Sequence, residues 1–160
     1  MPSTSGPRHA IIVALAVGYG TFLAFVAFWP SPIDRPVQGL LERAIAELHE
    51  RGVPAFVDYT FIESMANVLL FIPVGILFGL LLPLRWWPVA LLLGPALSGV
   101  IEVAQRYLLD ERYSTIDDVI ANSIGATIGV LLAVMLRAVV HARDEKVIER
   151  HEAQSGRGNG

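Results

Sequence analysis

The sequence predicts an all-α integral membrane protein, with four transmembrane helices plus one short amphipathic helix in the first loop. Three observations predict it. Four stretches, at about 10–29, 61–84, 89–109 and 116–140, are long and nearly free of charge, and a bilayer core is crossed by about 20 apolar residues in a helix. The chain is 54% hydrophobic with a mean hydropathy of +0.55, well above a soluble globular domain. Charged residues make up only 17% of the 160 and collect in connections and in the C-terminal tail.

Composition also excludes function classes. With a net charge of −3, nothing suggests a nucleic-acid partner, and none is expected. The absence of cysteine removes disulfides, thiol catalysis and thiolate metal sites. The length fits one domain. It is organised as a polar N-terminus (1–9), expected to be disordered, a membrane domain (10–140), and a charged, largely disordered tail (141–160).

The first span, Ala10 to Trp29, carries no charge. It is long for a signal peptide, and the following Phe-Trp-Pro-Ser-Pro lacks the small-residue cleavage pattern, so it is expected to stay in the protein. Trp29 suits an interfacial anchor. In the long loop, Pro30, Pro32 and Pro36 come first. Then Val37, Leu40, Leu41, Ala44, Ile45 and Leu48 recur at helical spacing, opposite Gln38, Glu42, Arg43, Glu47 and Glu50. Gly52 and Pro54 stop this helix. Its polar face is not basic, which places it at the interface or across the end of the bundle rather than on anionic lipid.

The second span holds Pro73 at its middle, a kink site, with Gly75 and Gly79 close by. Arg85, Trp86 and Trp87 form a very short connection with aromatic anchors. The third span carries Gly94-Pro95, and Glu102 lies roughly 10 Å inside its end at 1.5 Å per residue. The fourth span has Gly125 and Gly129 in a GxxxG spacing, which favours close helix packing. Four spans put both termini on one side, and the basic group after the fourth span places that side in the cytoplasm.

Alternation of the spans gathers the polar residues. The start of span two, the end of span three and the start of span four share one face of the membrane. Asn67, Glu102, Gln105, Arg112, Asp117, Asp118 and Asn122 therefore lie at one end of the bundle, with Glu63 beside them. Glu102 and Gln105 are three apart and Asp118 and Asn122 four apart, so each pair shares a helix face. Polar groups at such depth are expensive in lipid. Carboxylates there could hold or pass a proton, with Glu102 and Asp118 as candidate acid/base groups. Carboxylates with amide oxygens suit a hard cation, and Arg112 suits a phosphate or carboxylate. No metal motif, nucleophile elbow or phosphate loop is present, no resident metal is expected and the cofactor is unknown. His9, His49, His141 and His151 lie outside the spans, and Ser64, Ser98, Ser114 and Ser123 have no histidine base nearby in sequence. The structural alternatives are interhelical hydrogen bonding for Glu102 and Gln105, helix capping for Asp117 and Asp118, with Thr115 an equal candidate for the cap, and packing for Pro73, Gly75, Gly125 and Gly129.

Three motifs stand in order: NVLLFIPVG (Asn67 to Gly75), Glu102-x-x-Gln105, and Arg112 followed by Asp117-Asp118-Val119, Asn122, Gly125 and Gly129. Together they resemble the VanZ-like family of small bacterial membrane proteins, over spans two to four. The resemblance implies a multi-pass protein of the bacterial plasma membrane with an envelope role, and the family's name is tied to teicoplanin resistance. It supplies no catalytic residues.

The expected function is binding of a lipid-linked or amphipathic ligand, such as a lipoglycopeptide, at the polar cluster. The alternatives are an intramembrane enzyme acting on a lipid head group or envelope precursor, and a structural partner of another membrane protein. Expected partners are membrane lipids, with a second copy of the chain or another membrane protein as further candidates.

Overall fold

A computed structural model describes the backbone of residues 6–29, 37–109 and 115–157, and their side chains except at 7, 8, 142 and 144–157. The described residues contain five α-helices and no strand: α1 Gly6–Ala27, α2 Gln38–Glu50, α3 Tyr59–Leu81, α4 Trp87–Leu108 and α5 Ile116–Arg157, with a 3-10 turn at Leu84–Trp86. Four segments, His9–Ala27, Tyr59–Leu81, Leu84–Leu108 and Ile116–His141, are long and apolar enough to cross a membrane. The protein is an all-α, multi-pass membrane protein with one short amphipathic helix between its first two spans.

Local chemistry sets the helix ends. The Asp58 carboxylate accepts the Phe61 N–H at 2.8 Å, capping α3. At the start of α5 the Thr115 hydroxyl accepts the Asp118 N–H at 3.2 Å. Gly52, at φ +94°, ends α2 in the left-handed conformation that glycine adopts without strain. Pro88 occupies the first turn of α4, where no backbone donor is lost.

Two helices run past their membrane spans. Helix α1 starts at Gly6, ahead of the first span, with Pro7 fitting a first turn. At the other end α5 continues without a break to Arg157. No proline interrupts residues 116–157, the tail is rich in Ala, Glu, Lys and Arg, and extending a formed helix needs no new nucleation. At 1.5 Å per residue the 42-residue α5 is about 60 Å long, twice a bilayer core of roughly 30 Å.

The bundle is built on α3 against α5. They run parallel, since Asn67 meets Asp118 near their starts and Gly79 and Leu82 meet Arg137 near their ends. Glycine lets the backbones touch: a Cβ on Gly125 would collide with the Val68 carbonyl, and one on Gly75 with the Ala126 carbonyl. Helix α4 packs on the next face of α5, with Gly94 against Ala126. Helix α1 lies outside, against α3. Leu23, Phe71, Val74 and Ala126 form the core where α1, α3 and α5 meet, with Leu97 and Ile101 of α4 packed onto it.

Pro73 sits inside α3 and disturbs the hydrogen bonding of the preceding turn. The Tyr19 hydroxyl donates to the Leu70 carbonyl in that turn at 2.7 Å, tying α1 to α3 beside the proline. The spans keep large apolar side chains exposed on their outer faces, among them Leu15, Leu69, Leu92 and Met135. Bilayer lipid covers such a surface in a membrane protein.

Candidate functional site

Helix α4 supplies one wall of the site. Ser98, Glu102 and Gln105 follow at spacings of four and three, so they form one stripe. All three are buried, at 0%, 7% and 6% exposure. The stripe runs from near mid-span, where Ser98 lies, toward the end of α4 that faces the long loop. An apolar helix would gain by burying leucine there, so the polar stripe is a departure from what packing alone favours.

Helices α3 and α5 face it. Asn122 of α5, 5% exposed, donates from Nδ2 to Ser98 Oγ at 2.9 Å. One turn earlier, Asp118 Oδ1 accepts from Asn67 Nδ2 of α3 at 2.7 Å, and Asp118 Oδ2 accepts from the Thr115 hydroxyl at 2.9 Å. Gln105 Nε2 donates to the Ala27 carbonyl at the end of α1 at 2.8 Å. That bond joins the polar stripe to the end of a span whose last carbonyls have no intrahelical donor.

Asn122 Oδ1 is the one buried side-chain polar atom among the described residues without a hydrogen-bond partner. Leaving such an acceptor unmet costs about 1–3 kcal/mol. In a protein interior it is the kind of group that an ordered water or a ligand donor satisfies. Glu102 is one turn from Ser98 on the same stripe, so an acceptor-rich region lines the loop half of the bundle.

The structure does not gather every candidate. Asp117 is exposed and lines a shallow surface groove between α3 and α5, with Ser64, Met65 and Ile120 among its neighbours. It lies on a different side of α5 from Asn122, because five residues turn a helix by about 140° beyond one full turn. Arg112 lies outside the described residues. No group of three or more His, Cys, Asp or Glu that could hold a metal occurs among the described residues. His49 is occupied with the Val57 carbonyl at 3.1 Å, outside the spans.

Two contributors were missed from sequence. Ser98 carries the Asn122 contact, and its signal was a small polar residue four positions before Glu102. Arg137 donates from Nη1 to the carbonyls of Gly79, at 2.9 Å, and Leu82, at 2.7 Å, closing the end of α3. Its signal was a single cation near the end of an apolar span, where helix carbonyls need donors.

Comparison with known proteins gives one match. The family described as VanZ/LLP1 matches residues 16–137, a stretch that covers α2, α3 and α4 and most of α1 and of the membrane part of α5. No curated protein and no solved structure matches the chain. A match over this much of the sequence, on a bundle of four membrane-length helices, makes this chain a VanZ-like membrane protein and a member of the VanZ/LLP1 family.

Proposed function

We propose that the protein works in the bacterial plasma membrane as an envelope protein. It binds a lipid-linked or amphipathic ligand at the polar stripe in the loop half of the bundle, and in this way contributes to resistance against teicoplanin-type lipoglycopeptides. The observation that carries this reading is the stripe of Ser98, Glu102 and Gln105 facing Asn122, with the Asn122 acceptor unmet. A molecule with a polar head and an apolar tail matches polar groups set among apolar helix faces. The termini face the cytoplasm in this reading, and the stripe lies in the outer half of the membrane.

Asp118 has both carboxylate oxygens engaged by Asn67 and Thr115. This favours a positioning role for Asp118, and the unmet Asn122 oxygen marks the ligand contact, with Glu102 on the facing stripe as its neighbour. The test is growth of a strain lacking the protein, complemented with wild type, Glu102→Gln or Asn122→Leu at matched membrane levels, across teicoplanin concentrations. Protection by wild type that both variants lose supports the reading. Equal susceptibility of all strains, wild type included, removes the resistance role.

A further inference from the structure

The end of the bundle opposite the polar stripe has a chemistry of its own. The described ionisable side chains there are His9, Arg85, Arg137, His141 and Arg143, and none is a carboxylate. Every described Asp and Glu side chain lies in the long-loop half. Among the described side chains the ionisable groups at the termini end are all cationic, and α5 continues beyond them into a tail that carries both signs, Asp144, Glu145, Glu149 and Glu152 among Lys146 and Arg150.

Arg137 is the best placed of these cations. It is half-buried near the end of the fourth membrane-length segment, which closes at His141. Its Nη1 gives two hydrogen bonds to the carbonyls of Gly79 and Leu82. Those bonds hold the guanidinium rigidly against the end of α3. A guanidinium carries five N–H donors, so the Nε and Nη2 edge keeps three. That edge makes no hydrogen bond with any described residue. It is also the edge whose two parallel N–H groups match two oxygens of a phosphate.

The surroundings suit a membrane lipid. Arg85 lies three residues beyond Leu82, in the turn that Arg137 braces. It is exposed and forms no ion pair with a described residue. Trp86 and Trp87 follow it, 47% and 41% exposed, and tryptophan settles at the head-group level of a bilayer. A braced arginine, a second exposed cation and two exposed tryptophans thus lie at the same end of the bundle. Bilayer phosphates lie at the ends of membrane spans, with acyl chains beside apolar outer faces such as those of α3 and α5.

We propose that this end of the protein binds the phosphate of an anionic membrane lipid, taken on the Nε and Nη2 edge of Arg137 with Arg85 as the second cation. Neighbouring tryptophans hold the lipid's glycerol region. Lysine at 137 could replace the charge but not a fork that braces α3 and grips phosphate together.

The test uses the full-length protein purified from bilayers of phosphatidylglycerol and phosphatidylcholine in equal parts, with retained lipid read by native mass spectrometry. Wild type is expected to retain phosphatidylglycerol in clear excess. Arg85→Ala, which leaves the α3 brace intact, is expected to lower that excess about tenfold, the scale of one charge-assisted contact. Arg137→Lys is expected to lower it at least as far. Inorganic phosphate in the buffer should leave the retained lipid in place, and displacement by it would mean a free-phosphate site instead. Equal retention of the two lipids by wild type, or full selectivity in Arg85→Ala, overturns the proposal. The readout is independent of teicoplanin susceptibility, so each proposal stands or fails alone.

Discussion

Asn67 and Asp118 lie 51 positions apart and are joined by a 2.7 Å hydrogen bond between α3 and α5. The bond sets the relative height of these two parallel helices at the loop end. Arg137, bonded to the last turn of α3 and to Leu82, sets it at the other end. Between them glycines at 75, 125 and 129 let the two backbones touch. Three kinds of contact thus fix one register.

The Asn67–Asp118 pair should show measurable coupling. A hydrogen bond to a carboxylate is worth about 1.5–3 kcal/mol in water-soluble proteins. Membrane double-mutant cycles average nearer 0.6 kcal/mol, because the unfolded chain in lipid finds other partners. The lower figure governs here, since both residues lie within membrane-length helices. A cycle of Asn67→Leu, Asp118→Leu and the double variant, followed by unfolding in mixed micelles, is expected to give a coupling of about 0.6–1.7 kcal/mol. Strict additivity of the two single effects would show that the bond does not contribute.

Alanine should separate the glycines by position. Within a helix, Gly→Ala gains about 1 kcal/mol of propensity. At Gly99 a Cβ would meet nothing within 4 Å, so Gly99→Ala is expected to hold or raise thermal stability. At Gly129 a Cβ would press on the Ile76 nitrogen at 2.7 Å and the Gly75 Cα at 2.9 Å, both backbone atoms that cannot rotate away. Overpacking of that kind costs about 1–3 kcal/mol, so Gly129→Ala is expected to lower Tm in detergent. A Gly129→Ala protein as stable as wild type would show that α3 and α5 can part at little cost.

Ser98 and Asn122 should separate stability from activity. Ser98→Ala leaves the Asn122 amide with both its donor and its acceptor unmet, at about 1–3 kcal/mol for each buried polar group. Replacing both partners by apolar residues, as in Ser98→Ala with Asn122→Leu, removes the unmet groups together and is expected to be more stable than Ser98→Ala alone. The same double variant is expected to lose teicoplanin protection. A double variant that is stable and still protects would place the ligand elsewhere in the bundle.

The family motifs were read as neighbours in sequence, and the structure sorts them by partner. Asp117 and Asp118 are adjacent, yet Asp118 bonds Asn67 while Asp117 is exposed. One residue turns a helix by about 100°, which is enough to send neighbouring side chains to different surroundings. Glu102 and Gln105 were singled out as one face, and both are buried on it. Ser98 completes that face but passed as an ordinary serine, because its role depends on Asn122 of another helix. Helix α5 runs on beyond Val140 through a polar segment, because polarity reports the solvent around a segment and not whether a preceding helix can propagate through it.

The sequence by itself determined the four membrane-length spans, the amphipathic helix between the first two, the family, and the end of the bundle where most polar groups collect. These follow from hydropathy, helical period and span alternation, which are properties of short windows or of strict counting. Only the tertiary structure decided which polar groups meet. It paired Asn67 with Asp118 and Asn122 with Ser98, left one Asn122 oxygen unmet, and turned Arg137 onto the end of α3. The physical reason is that partner choice depends on the rotation and height of each helix against its neighbour. Backbone contact at Gly75, Gly125 and Gly129 sets both, and such contact exists only once the helices have packed.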